Sequence, residues 1–326
     1  MPPSTIAGSK VDGRVQNCAP ASSVPVYLAL AGCSAVLLIF CLVSDPPGSA
    51  PSALPLLETF LLLTPPLLVP AAFFHERKAW RRRDAFLMIP WTLLIALLIT
   101  QAAPTSATYA FPLRDSLWRS TDEHLGISIP AMMTFAARHP LLQSVLTDCY
   151  GWALHPLVLL AIFLPALVGM RETAQRFVLA NAFSFVLALP FMLLLPAVGP
   201  WVGWHFHPTH LQQACEASIY SLRRGSLSIT DAFGGIVCLP SFHVFWAVVS
   251  AQALQPFRLL RYPAILVAAL ITVSTMTTGW HYGVDVIAGL LMFAICGFLA
   301  NWVVSGRPNL SFASKHRQVS MGKGSA

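Results

Sequence analysis

Long uninterrupted apolar runs alternate with short polar stretches along this chain. Eight runs stand out, at residues 25–44, 54–74, 85–103, 146–169, 177–198, 238–255, 262–278 and 284–305. Most are close to the roughly 20 apolar residues an α-helix needs to cross a bilayer, and the run at 238–255 sits at the short end. Their continuity, with no strict in–out alternation, argues for helices and against a transmembrane β-barrel. The pattern therefore predicts an all-α, polytopic membrane helix bundle of about eight spans. Pro65 and Pro66 inside the second run predict a kink there.

Composition supports the same solvent. The chain of 326 residues is 56% hydrophobic and only 10% charged, against about a quarter charged for a soluble domain. A formal charge of +7 raises the question of nucleic acid, but the basic residues lie between the spans, where they anchor a membrane surface. With the N-terminus inside, fifteen of the 20 lysines and arginines fall on inner segments; only Arg114, Arg119, Arg138, Arg223 and Arg224 fall outside. This split places both termini in the cytoplasm. The strongest cluster, HERKAWRRRD at 75–84, anchors that face to anionic lipid.

The chain then divides into a cytoplasmic tail (1–24), spans one to three (25–103), an outer segment (104–145), spans four to eight (146–305) and a disordered cytoplasmic tail (306–326). Within the outer segment, RDSLWRSTDEHLGISIPAMMTF reads as an interfacial helix. A second long outer segment, 199–237, joins spans five and six. No signal peptide is expected, because the first apolar run is long and follows an ordinary polar tail. Short inner loops suit a bacterial inner membrane, with any elaborated site on the periplasmic or lumenal face.

Ionisable residues at a span point to function. His281 and Asp285, in GWHYGVD at 279–285, stand four residues apart at the entrance to span eight. On a helix such residues are neighbours, and a carboxylate there orients an imidazole and stabilises its charged form. His243, in CLPSFH at 238–243, brings a second imidazole from the same face. Two histidines, one supported by a carboxylate, fit double displacement at phosphorus: one attacks, the other protonates the departing oxygen and then activates the acceptor. Interhelical hydrogen bonds that merely hold the bundle together fit the spacing equally well. Asp148 and His155, seven residues apart in span four, share a helical face and form either a polar relay to the site or a buried pair.

PSFH at 240–243 and STMTTGWHYGVD at 274–285 resemble the second and third signatures of the type-2 phosphatidic acid phosphatase superfamily. Thr275 stands where its phosphatase branch has an arginine. Ser274-Thr275, with Tyr282 after the histidine, resembles the inositol phosphorylceramide synthase and sphingomyelin synthase branch. So do DEHLGISIP, the stretch from Tyr150 to His155, and PAVGPW at 196–201. The resemblance covers roughly 110–305. It implies a six-helix core at 85–305, catalysis without a metal or other cofactor, His281 as nucleophile, Asp285 as its orienting partner and His243 as general acid. It also implies a phospholipid or sphingolipid substrate.

PAVGPW lacks the cations of the phosphatase branch's first signature. Phosphate must then be met by Arg223 and Arg224, by Ser241, or by amides at the start of span six, with Trp201, His155 and Asp148 nearby. A phosphodiester donor carries one negative charge and needs fewer cations than a dianionic monoester. The expected activity is therefore transfer of a phospho-headgroup between lipids, with hydrolysis of a lipid phosphomonoester as the alternative. A transporter and a catalytically silent scaffold are further alternatives; against the first, the polar residues cluster at one face. Cys215 and Cys238 flank the outer loop and are expected to form a disulfide. His205, His207 and His210 in WHFHPTH lack a fourth ligand or an HExxH pattern, so no metal is expected there.

Overall fold

A computed structural model of the protein describes residues 23–44, 53–232 and 237–306. Residues 1–22 and 307–326, nearly all of the polar tails expected at 1–24 and 306–326, lie outside the described residues. The chain forms helices α1 (Val24–Val43), α2 (Ala53–Glu76), α3 (Trp80–Phe86), α4 (Met88–Thr108), α5 (Asp115–His124), α6 (Ile129–Ala137) and α7 (Pro140–Asp148). After a π-helical turn at Cys149–Ala153 follow α8 (Leu154–Leu167), α9 (Arg171–Leu194), α10 (Pro200–Gly203), α11 (His210–Arg223), α12 (Phe242–Leu254), α13 (Arg261–Thr277) and α14 (Gly283–Ser305). No β-strand occurs among the described residues.

Among the described residues, six helical stretches are long and apolar enough to cross a membrane: Val24–Val43, Pro55–Glu76, Trp80–Thr108, Pro140–Leu167, Arg171–Leu194 and Gly283–Ser305. The runs expected to form spans six and seven are shorter apolar helices, α12 and α13. The protein is thus an all-α integral membrane protein. α2 continues through Pro65, Pro66 and Pro70.

α9 is the central helix, packed on α14, α4, α1 and α8, while α12 packs on α13, α8 and α14. Their shared core is aliphatic and aromatic, with Leu179, Phe185, Phe245 and Ile271 buried. At one end of the bundle Asp84 pairs with Arg83 (2.6 Å) and Arg171 (3.4 Å), joining α3 to α9. The opposite end carries α5, α6, α10 and α11, the short helices of the two long connecting segments. α5 is tied to the start of α14 and α11 to the end of α13 by the bonds described next.

Candidate active site

The segment between α13 and α14 is a tight turn built by backbone chemistry. Gly279 adopts a left-handed φ of 73° that closes α13, and Trp280 N–H and His281 N–H both donate to Thr275 O at 3.1 Å. Gln212 of α11 reaches over and donates to the carbonyls of Thr278 (3.3 Å) and Gly279 (3.1 Å). The next helix is then capped by its own third residue: Asp285 Oδ2 accepts from Tyr282 N–H at 2.9 Å. His281 is thereby presented one turn above Asp285, and both are buried.

Three donors converge on Asp285 Oδ2: Tyr282 N–H, the Cys238 thiol at 3.0 Å and His281 Nδ1 at 3.3 Å. His281 Nδ1 also lies 3.1 Å from Cys238 O. A carbonyl oxygen can only accept, so Nδ1 carries the proton and the Nε2 lone pair is left for nucleophilic attack. Asp285 Oδ1 is buried with no hydrogen-bond partner among the described residues.

His243 enters from the first turn of α12, whose N-cap is Ser241. Its ring centroid is 5.8 Å from that of His281, close enough for one phosphoryl group to stand between the imidazoles. Ser241 is fully buried; its N–H donates to Asp285 O at 3.1 Å, fixing the start of α12 against the start of α14. Tyr150, in the π-helical turn, stacks on His243 at 4.6 Å and on Trp280 at 5.9 Å. Trp201 meets Trp280 edge-on at 5.6 Å and donates Nε1–H to Glu216 at 2.9 Å. π turns of this kind recur at functional sites because the extra residue turns side chains away from the α-helical register.

A second layer of carboxylates holds this assembly from α5. Asp122 accepts from Gly283 N–H (2.8 Å) and Val284 N–H (2.9 Å), the first amides of α14. Gly283 permits that approach, since a Cβ there would lie 2.6 Å from Ile127 Cδ1. Asp115 accepts from Val198 N–H, Gly199 N–H and the Tyr282 hydroxyl at 2.9–3.1 Å. Burial pushes both carboxyls up against the pull of these donors, Asp122 to about 6. A folded value above the unfolded one means that protonation favours the folded state. The contribution of Asp122 is complete below about pH 4 and is lost as pH rises through about 6. Relative to Asp122→Asn, the melting temperature of the wild type is expected to fall across that window in a fixed detergent; a difference independent of pH would contradict this.

The sequence-derived candidates separate on this frame. His281, Asp285 and His243 come together, and His155 lies within electrostatic reach of His243. Asp148 and His155 are both exposed and lie on either side of the π turn, which rotates them off the common face expected of an unbroken α-helix. Arg223 donates to Ala110 O (3.2 Å) and Phe111 O (2.8 Å), between α4 and α5, and Arg224 contacts Ser221 Oγ of α11 at 3.5 Å. Trp201 is buried behind Trp280. The expected Cys215–Cys238 disulfide is not formed: the Cys238 thiol points to Asp285, while Cys215 is buried with Val198, Trp201 and Ile219. His205, His207 and His210 are exposed. Among the described residues, the set grouped closely enough for a metal is Cys238, His281 and Asp285, with donor atoms within 4.8 Å of one another.

Residues 116–299 match the model of the PAP2 superfamily, more than half of the chain, including His243, His281 and Asp285. The chain belongs to the PAP2 superfamily. No curated protein and no solved structure matches it. Membership makes it a membrane-associated phosphoesterase-type chain, and the matched region begins in α5 and ends near the close of α14.

Tyr150, Trp280, Tyr282, Asp115 and Asp122 were not marked as site residues by the sequence. One signal was available: Asp115 and Asp122 are seven residues apart in a predicted interfacial helix, hence on one face. For Tyr150, stacking on an aromatic face contributes about 0.5–1.5 kcal/mol. Tyr150→Ala is expected to lower kcat roughly 2- to 12-fold, with Tyr150→Phe near wild type in the same assay.

Proposed function

We propose that this PAP2 chain cleaves a lipid phosphoester through a covalent phosphohistidine at His281, with water as the acceptor. That is the activity of a lipid phosphate phosphatase acting on phosphatidic acid or a polyprenyl phosphate at the outer leaflet. The observation that carries it is the Asp285-bound His281, its Nε2 lone pair unprotonated, facing His243 at 5.8 Å.

His281 Nε2 attacks phosphorus, the bond to the lipid oxygen breaks, and that oxygen takes the proton of His243. The N-phosphorylated ring is cationic, and Asp285 offsets its charge. Neutral His243 then takes a proton from water, whose oxygen displaces His281 from phosphorus and releases phosphate. Water is the simpler acceptor for a nucleophile only 4% exposed, since it needs no second lipid-binding site.

Headgroup transfer to a lipid alcohol is favoured by a different observation. Thr275 is buried and donates to Thr272 O at 2.7 Å, and Arg223 is spent on backbone carbonyls. Neither supplies the charge a dianionic monoester calls for, whereas a phosphodiester donor such as an inositol- or choline-bearing phospholipid needs less. Purified protein given phosphatidic acid or polyprenyl phosphate is expected to release inorganic phosphate. Exchange of headgroup from a phosphodiester lipid onto an added ceramide or diacylglycerol, without phosphate release, would establish the transferase instead. Absence of both reactions would defeat the enzyme reading.

A further inference from the structure

The helices that meet at the catalytic end, α9, α12, α13 and α14, enclose a cavity of about 950 Å³ toward their other ends. Its volume is at the upper end of ligand-binding cavities, about 300–1,000 Å³. Val248, Ile265 and Leu290 give it an apolar wall. Ile265 and Leu290 remain 47% and 41% exposed, so the cavity is not sealed at this apolar wall. α13 and α14 each pack on α12 and only sparsely on one another, which leaves this slot between them.

The cavity has a cationic end. Arg176, near the start of α9, and Arg261, the first residue of α13, both line it. Arg176 Nη2 bonds to Glu172 (2.9 Å) and Ser305 Oγ (3.2 Å), and Arg261 Nη2 bonds to the Tyr262 hydroxyl (2.8 Å). The Nε of each is nevertheless buried with no hydrogen-bond partner among the described residues, and Arg261 has no ion pair among them. A guanidinium carries five donors and no acceptor. Glu172 balances Arg176, so one guanidinium at the head of an apolar slot, that of Arg261, lacks an anion among the described residues, and the Nε donors of both arginines lack an acceptor. A soluble phosphate would satisfy the charge and leave the slot wet. A neutral lipid would fill the slot and leave the charge. A lipid whose headgroup has a net negative charge does both.

We propose that this cavity binds an anionic phospholipid from the leaflet opposite the catalytic end, its phosphate on Arg176 and Arg261 and an acyl chain between α13 and α14. The bound lipid braces the two helices whose far ends carry His281 and Asp285. The site is separate from the catalytic one and does not depend on the reaction assigned to it.

The test is lipid retention. Protein reconstituted in vesicles of phosphatidylglycerol and phosphatidylcholine in equal parts is taken into neutral detergent, and the bound lipid is weighed by native mass spectrometry. Wild type is expected to retain phosphatidylglycerol over phosphatidylcholine by roughly 5-fold, from one uncompensated cation at a lipid surface. The preference should disappear in Arg176→Gln with Arg261→Gln, and retention itself should fall in Val248→Trp, which fills the slot and keeps both arginines. Soluble glycerol phosphate should not displace the lipid. None of these variants replaces His281, Asp285 or His243, so lipid held at the catalytic end is counted equally in wild type and variants. Equal retention of the two lipids, an unchanged preference in the double variant, or displacement by glycerol phosphate would overturn the proposal. If the double variant does not fold, Arg261→Gln alone with Val248→Trp decides it by the same readout.

Discussion

Replacing His281 by alanine is expected to lower turnover by roughly 10⁴- to 10⁶-fold, the loss seen when a nucleophile is removed from a carboxylate-supported set. Three features make the effect large. Nδ1 is held as a donor by Cys238 O and Asp285 Oδ2, so only Nε2 can attack. Asp285 is itself held by Tyr282 N–H and the Cys238 thiol, so its charge is in place before the imidazolium forms. Among the described residues no other imidazole is bonded to a carboxylate in this way; His243 is stacked on Tyr150. Alanine at 281 removes one bond to Asp285 and leaves the cap on α14 in place, so the variant is expected to remain folded. Size-exclusion behaviour like that of wild type, with activity at background, is the expected pair of results. Residual turnover above about one part in a hundred would remove His281 from the nucleophile's role.

Asp115→Ala is expected to act on the fold rather than on one chemical step. Its carboxylate accepts from Val198 N–H, Gly199 N–H and the Tyr282 hydroxyl, and all of these groups are buried. Alanine would strand the two amide donors away from water, while the Tyr282 hydroxyl keeps Gly199 O as an acceptor at 2.9 Å. Each stranded buried donor costs about 1–3 kcal/mol, offset in part by relief of a buried charge, so the net loss is expected to be about 3 kcal/mol. Because Tyr282 follows His281 directly, turnover should fall with stability. Thermal unfolding in detergent measures the first and phosphate release the second. An unchanged melting temperature would show that α5 does not hold the site.

The apolar runs were legible because a bilayer demands continuous hydrophobic length, and that demand is written locally. His281, Asp285 and His243 were legible for the same reason: polar groups at span entrances are conspicuous against their surroundings. The supporting shell was not. Asp122 meets Gly283 across 161 positions and Asp115 meets Tyr282 across 167, and no local pattern encodes such a pairing. The π turn at Cys149–Ala153 defeated the seven-residue spacing of Asp148 and His155, because periodicity assumes an unbroken α-helix. Cys238 misled in another way: the proximity of two cysteines to one loop suggested a bridge, whereas the thiol serves Asp285. Gly283 carries no such local signal either: it leaves room for the close approach of Ile127 and Asp122.

The central claim is a covalent phosphoryl group on His281. A lipid phosphate carrying a leaving group that needs no protonation should load the enzyme even in His243→Ala, which lacks the base to activate water. Acid-labile, base-stable phosphate on the peptide containing His281, trapped from that variant by mass spectrometry and absent from His281→Ala, is the result this account predicts. Full turnover by wild type with no such adduct, or an adduct on another residue, would contradict it.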